Sequence, residues 1–156
     1  MRYYEDLRQG EELASGPREV SEGELIAFAR QYDPQYFHTD PEAARRSIFG
    51  GVIASGIFTM ALWRQLDHEI AHDIAWICGV GWDEVRFPVA VRPGDLLRAR
   101  ARCLSKRLSA TRPERGVVVY QYLLLNQRGE TVFTCRSTNL VERRPGAGAP
   151  PAAAGK

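Results

Sequence analysis

Two side chains that can exchange protons, Asp33 and His38, lie five positions apart in the segment Asp33-Pro34-Gln35-Tyr36-Phe37-His38-Thr39-Asp40-Pro41. A carboxylate and an imidazole that hold one water molecule between them can remove a proton from it and deliver a proton to another atom. Each residue also has an ordinary structural explanation. Aspartate is common at turns, and a single histidine is often a hydrogen-bonded loop residue. On the residues alone, the acid–base and the structural explanations both stay open.

The elements around this pair are predicted to be helices. Ser21 is a predicted N-cap for the first helix, and Asp33-Pro34 ends that helix because a residue before proline avoids the helical region. A short helical turn is predicted from Glu42 to Arg46. The segment Gly50–Trp63 is apolar on nearly every face, which predicts a buried helix that continues to about His68 or beyond.

The second half of the chain is predicted to be β-structure. In one segment Arg98, Arg100 and Arg102 alternate with small or apolar residues, which is typical of a strand with one buried face. Short links between the last three strands predict an antiparallel meander. We therefore expect an α+β fold in which a curved antiparallel sheet wraps around a buried central helix. The four predicted strands are Trp76–Phe87, Leu96–Leu104, Gly116–Leu125 and Glu130–Val141.

Composition places limits on the function. The chain has 156 residues, 44% hydrophobic and 26% charged, which is typical of a globular domain. Its 21 basic and 19 acidic residues give a net charge of +2, too small to favour nucleic acid as a partner. The chain has no apolar run of about 20 residues, so no membrane span is expected. The first residues lack the basic-then-apolar pattern of a secretory signal.

The cysteines and the C-terminal composition complete this picture. Cys78, Cys103 and Cys135 are odd in number and widely spaced, so neither a disulfide framework nor a zinc site is expected, and a reducing cytoplasm is the simplest location. Residues 145–156 consist largely of proline, glycine and alanine, which predicts a disordered tail. Residues 1–144 are expected to form one domain.

The order of these motifs resembles that of the MaoC-like dehydratases, which include the (R)-specific enoyl-CoA hydratases and have the hotdog fold. The hydratase motif of that family places an aspartate and a histidine five positions apart, as Asp33 and His38 are here, and often adds a second aspartate, as Asp40. The segment Ile53–Ile57 corresponds to the family's apolar stretch before the central helix. The segment Phe87–Asp95 resembles a later strand–loop region of the family, and the likeness covers about residues 3 to 143.

The resemblance implies a division of roles. Asp33 and His38 would form the acid–base pair, and the backbone N–H of Gly56 would donate to the developing enolate oxygen, aided by the dipole of the helix that starts there. No metal or redox cofactor is expected, and coenzyme A would enter as part of the substrate. The fold also implies a homodimer or a larger homo-oligomer. The candidate substrate-binding residues are Gln35, Tyr36, Ser55 and Arg100.

The chain departs from the family pattern at three positions. Gln35 replaces the usual asparagine, Ser55 replaces the common histidine, and Arg64 stands where some hydratases have a serine. The leading hypothesis is reversible addition of water to a trans-2-enoyl-CoA or a related thioester. Thioester hydrolysis and non-catalytic acyl-CoA binding are the alternatives.

Two other groups of residues have possible functions. His68 and His72 are four residues apart, a spacing that can hold a metal on one helix face, but the sequence shows no third ligand. Seven basic residues between Asp95 and Arg115, Arg100 among them, could bind the phosphates of coenzyme A. The simpler explanation, which we prefer, is that they form the solvated face of the antiparallel sheet.

Overall fold

The computed structural model describes residues 1–147, so most of the predicted disordered tail, residues 148–156, lies outside the described part. A short 3-10 helix at Tyr4–Asp6 comes first. The strands are β1 (Glu12–Ala14), β2 (Arg18–Glu19), β3 (Trp76–Arg86), β4 (Leu96–Leu108), β5 (Arg115–Leu125) and β6 (Thr131–Glu142). The helices are α1 (Glu22–Tyr32), α2 (Tyr36–Thr39), α3 (Pro41–Arg45) and α4 (Gly56–Ala71).

The strands form one antiparallel sheet in the order β1-β4-β5-β6-β3, and β2 pairs with β4 beside β1. The predicted meander of β4, β5 and β6 is confirmed. Strand β4 is four residues longer than predicted, because a register shift between Cys103 and Ser105 lets pairing with β5 continue past the break in alternation. The sequence did not predict β1 and β2, which are too short to show a period of two.

Helix α4 packs against one face of the sheet, and this arrangement confirms the α+β prediction. Leu62, Trp63 and Leu66 of the helix are fully buried. The sheet presents the alternate residues of β4, including Ala99 and Ala101, to the same core. Burial of this apolar surface is the main force that holds the helix on the sheet. Within residues 1–147, no helix is long and apolar enough to cross a lipid bilayer.

The loop between α1 and α4 is built from capped helical turns. Ser21 caps α1 as predicted, and its hydroxyl accepts a hydrogen bond from the N–H of Glu24 at 3.3 Å. Helix α3 lies one residue earlier than predicted because the Asp40 carboxylate caps it and Pro41 occupies its first position. The single turn α2, which carries His38, was not predicted.

Candidate active site

Asp33 lies at the C-terminal end of α1, and its two carboxylate oxygens have different partners. The hydroxyl of Ser55 donates to Oδ2 at 2.7 Å, and the amide of Gln35 donates to Oδ1 at 3.1 Å. The backbone N–H of Asp33 donates to the carbonyl of Ala29, so the last turn of α1 fixes the main chain. About 23% of the side chain remains exposed, which leaves the carboxylate accessible to a small molecule.

His38 is buried on α2 and turns one ring nitrogen toward Asp33. Its Nε2 lies 3.6 Å from Asp33 Oδ2, and its Nδ1 lies 2.7 Å from the carbonyl oxygen of Ile53. A carbonyl can only accept, so Nδ1 must carry a proton. The exchangeable site of the imidazole is therefore Nε2, the nitrogen that faces the carboxylate.

The N-terminus of α4 lies beside this pair, because Ser55 both caps the helix and hydrogen-bonds to Asp33. Ser55 is the N-cap of α4, and its hydroxyl oxygen accepts the N–H of Ile57 at 3.2 Å while the hydroxyl donates to Asp33. The N–H of Gly56, in the first turn, has no hydrogen-bond partner among residues 1–147. It is thus available to a ligand at the positive end of the helix dipole.

A cleft of about 360 Å³ opens next to the pair, and both His38 and Gly56 line it. The other lining residues are apolar apart from Thr59, as is common in a small-molecule site. Phe87 lies close over Gly56, since a Cβ placed on Gly56 would be 3.2 Å from Phe87 Cζ. The other lining residues are Phe49, Ile53, Ala54, Thr59, Pro88, Val89, Ala90, Val91 and Val132.

Hydrogen bonds set the charge state of the carboxylate. The bond from Ser55 is the largest influence that holds the pKa of Asp33 below its usual range, the bond from Gln35 comes next, and the charge of His38 adds a smaller effect. Partial burial opposes these effects without reversing them. Asp33 is therefore ionised at neutral pH beside an imidazole that can accept or donate a proton.

The structure brings most of the predicted site residues together. One cluster forms around the Asp33 carboxylate, which contacts Gln35, Ser55 and His38. Gly56 joins it as the residue that follows Ser55 at the start of α4. Gln35 and Ser55 were predicted to bind substrate, but their side-chain groups are hydrogen-bonded to Asp33, and Ser55 is 0% exposed.

Two predicted substrate-binding residues are not part of this cluster. Tyr36 is exposed, with its ring against Phe37. Arg100 is not brought to the site, because it belongs to the exposed set of β4, on the face opposite the buried residues that meet α4. There it lines a separate groove with Glu12 and Gln121.

Sequence reasoning missed two contributors to the site. The carbonyl of Ile53 fixes the His38 ring, but any residue type offers a backbone carbonyl, so no sequence signal could have identified it. The hydrogen bond from Ser55 to Asp33 was also missed. A serine directly before an apolar helix is a capping signal, and that signal could have placed the Ser55 side chain at the helix end.

The remaining candidates have structural partners. Arg64 forms an ion pair with Asp67 on the next turn and lies over the ring of Trp63. His68 lies 3.4 Å from the Arg64 guanidinium, and His72 Nδ1 lies 3.1 Å from the carbonyl of Glu69. No cluster of three metal-ligating side chains occurs in the part of the chain that the structure describes.

Comparison with known proteins assigns the family. Residues 7–122 match the model of the MaoC like domain. The chain is 34% identical over 127 residues to the YdeM protein of Bacillus subtilis, a match that covers 80% of this chain and 87% of that protein. It is 38% identical over 83 residues to the 3-hydroxyacyl-thioester dehydratase Z of Mycobacterium tuberculosis, covering 51% of this chain and 55% of the dehydratase.

Solved structures agree with the sequence matches. The crystal structure of the MaoC-like dehydratase from Rhodospirillum rubrum superposes with a TM-score of 0.86 at 39% identity, covering 93% of this chain and 99% of that chain. A Mycobacterium tuberculosis protein with a double hotdog fold matches with a TM-score of 0.77 at 14% identity, covering 96% of this chain and 46% of that chain, and supports the fold alone. The chain therefore has the hotdog fold and belongs to the MaoC-like dehydratase family.

Proposed function

We propose that the protein catalyses the reversible addition of water to a 2-enoyl-CoA-type thioester, as a hydro-lyase. The observation that carries the proposal is the separation of 3.6 Å between Asp33 Oδ2 and His38 Nε2, beside the free N–H of Gly56. This separation is too long for a direct hydrogen bond. One water molecule can instead hydrogen-bond to both atoms at once.

The reaction follows from these two groups. The ionised Asp33 carboxylate accepts a proton from the bound water as the water oxygen forms a bond to the β-carbon. His38 Nε2 accepts a hydrogen bond from the same water and so holds it in place for this proton transfer. The electron pair of the carbon–carbon double bond moves toward the thioester and gives an enolate, and the acid–base pair then returns one proton to the α-carbon. Water is consumed and no thiol is released.

The N-terminus of α4 stabilises the charge that forms in this step. Negative charge develops on the thioester oxygen, and a fixed donor aimed at that oxygen lowers the barrier. The Gly56 N–H is such a donor, and it lies at the positive end of a sixteen-residue helix. The N–H of Ile57 already donates to Ser55, so Gly56 is the better candidate.

The cleft accounts for the acyl part of the substrate. Its apolar walls would exclude bulk water and bury a hydrocarbon chain. Coenzyme A would enter as part of the substrate, and no separate cofactor is needed for the proton transfers described. A 3-hydroxyacyl-thioester dehydratase among the relatives carries a name that describes the reverse of this reaction, which supports the assignment.

We further propose that the protein acts as a homodimer formed along β3. This strand is the last in the sheet order, and no strand within residues 1–147 pairs with its outer edge. Its side chains are largely exposed, including the apolar residues Ile77, Val80 and Trp82. An exposed apolar edge strand is a template for pairing with another chain.

A direct assay tests the activity. The absorbance of the enoyl thioester is followed with crotonyl-CoA and with longer or branched enoyl-CoAs, while free thiol is measured in the same samples. Loss of absorbance without thiol release is expected. Thiol release would instead assign thioester hydrolysis. Binding of the CoA esters with neither signal would assign a non-catalytic binding module.

A further inference from the structure

Ser55 lies where the Asp33 carboxylate, the N-terminus of α4 and the Gly56 N–H come together. Its side chain is fully buried, it is the N-cap of α4, and it lies directly before Gly56. Its hydroxyl donates to Asp33 Oδ2 at 2.7 Å and accepts from the N–H of Ile57 at 3.2 Å. An ordinary N-cap needs only the second of these contacts, so the first requires another explanation.

We propose that Ser55 is a positioning residue: its hydroxyl holds the Asp33 carboxylate against the N-terminus of α4, with Oδ2 directed toward His38. The catalytic part of this proposal rests on the proposed function. The contact between Ser55 and Asp33 is observed whatever the activity. Ser55 does not line the cleft. It would act only through Asp33.

The geometry of the hydroxyl explains why this arrangement is rigid. A serine hydroxyl has one proton to donate, and here the proton is directed to Asp33, while its oxygen is held by Ile57. The bond to Asp33 joins the N-terminus of α4 to the end of α1, and the bond from Ile57 holds the serine oxygen within α4, so a shift between the two helices would strain the first bond. The oxygen that accepts from Ser55 is the same oxygen that faces His38. Its direction is therefore fixed by the helix that also supplies the Gly56 donor.

The same contact controls the charge of the site. The bond from Ser55 is the leading cause of the lowered pKa of Asp33, and His38 is the titratable side chain that faces this carboxylate. A carboxylate that loses a hydrogen bond to its charged form takes up a proton at a higher pH. Loss of the hydroxyl should thus move the acid limb of the pH–rate profile to higher pH.

The test uses three variants. Ser55→Ala removes the hydroxyl, Ser55→Thr retains it, and Ser21→Ala removes the N-cap of α1, which lies at the opposite end of that helix from Asp33. For Ser55→Ala we expect kcat to fall by about 10- to 100-fold, as for a misplaced catalytic group, with KM little changed. The acid limb should move to higher pH, and Ser55→Thr should restore both properties. Ser21→Ala should lower only the thermal stability.

A second measurement does not depend on activity. Carbon-13 NMR titration of the aspartate carboxyl groups, assigned with Asp33→Asn, reports the pKa of Asp33 in the wild type and in each variant. A higher Asp33 pKa in Ser55→Ala, restored in Ser55→Thr, is the expected result. An unchanged Asp33 pKa in a folded Ser55→Ala protein would overturn the inference. Absence of hydratase activity in the wild type would contradict the proposed function but leave this titration informative.

Discussion

The Nδ1 atom of His38 donates to the carbonyl oxygen of Ile53 across 2.7 Å. This bond fixes the ring so that Nε2 faces Asp33, and it ties α2 to the segment that leads into α4. The N–H of Ile53 in turn donates to the carbonyl of Phe37 at 3.1 Å. The acid–base pair and the Gly56 donor are therefore held by one short stretch of main chain, and each can be tested separately.

Asp33 should be essential for turnover. Asp33→Asn removes the proton acceptor but keeps the size and much of the hydrogen-bonding capacity of the side chain. We expect kcat/KM for hydration to fall by on the order of 10²-fold or more, because general acid–base catalysis is lost. The measurement is the initial rate of enoyl-thioester consumption, together with circular dichroism to confirm the fold.

Asp40 provides the matched control for that substitution. It lies in the same loop, but its carboxylate caps α3 by accepting the N–H groups of Glu42 and Ala43 at 3.0 Å. Asparagine is an equally good cap, so Asp40→Asn should keep nearly full activity. Equal losses in the two variants would mean that the loop is merely sensitive to substitution, and Asp33 would lose its assigned role.

A methyl group at Gly56 should slow turnover. The Cβ of Gly56→Ala would lie 3.2 Å from Phe87 Cζ and 3.3 Å from Cε1, so the half-exposed ring must shift by a few tenths of an ångström at the mouth of the cleft. We expect kcat to fall by about 10-fold, because small displacements at a reacting centre are costly. Gly23→Ala in α1, whose Cβ would meet only Ser21 Oγ at 3.7 Å, should keep full activity. A wild-type rate in Gly56→Ala would reject the placement of the thioester oxygen.

The lowered pKa of Asp33 also predicts a pH dependence of stability. A carboxyl group whose folded pKa lies below its unfolded value of about 3.9 stabilises the fold above that value. This contribution is lost as the pH falls through the folded pKa. The difference in unfolding free energy between the wild type and Asp33→Asn should therefore be smaller at pH 3 than at pH 7. Urea unfolding at the two pH values measures it, and an unchanged or larger difference at pH 3 would contradict the ionised, hydrogen-bonded state of Asp33.

The spacing of apolar residues, together with helix-capping and turn residues, was enough to predict the main helices and strands. The alternation of Leu96–Leu104 and the apolar run before Trp63 both reflect burial, and burial is a property that the sequence records directly. The pairing of Asp33 with His38 also followed from spacing, together with the family resemblance. What the sequence could not record is which group faces which. Gln35 and Ser55 are chemically suited to bind a substrate, yet in the folded chain both side chains donate to Asp33.

The ion pair between Arg64 and Asp67 on α4 should contribute to stability as a coupled pair, so that each side chain stabilises the fold only when the other is present. The Asp67 side chain is 6% exposed and contacts the Arg64 guanidinium, while its Oδ1 has no hydrogen-bond partner within residues 1–147. Arg64→Met would leave a buried, uncompensated carboxylate and should cost about 2 kcal/mol of unfolding free energy, less than for a fully buried pair because Arg64 is partly exposed.

A double variant makes this prediction sharper. Arg64→Met combined with Asp67→Leu removes both charges and fills similar volume, so it should be close to the wild type in stability. The coupling energy from urea unfolding of the two single variants and the double variant is the measured quantity. Additive losses would show that Arg64 and Asp67 contribute independently, against the role assigned to the pair.

The exposed edge of β3 predicts the effect of charge on assembly. Val80 lies in the middle of this strand and is 57% exposed. A lysine on an edge strand opposes pairing between chains, so Val80→Lys should halve the mass measured by sedimentation equilibrium. Ile48→Lys is the matched control, because Ile48 is 96% exposed but lies in the loop before α4, and that variant should remain dimeric. A dimeric Val80→Lys beside a monomeric Ile48→Lys would move the interface from β3 to that loop.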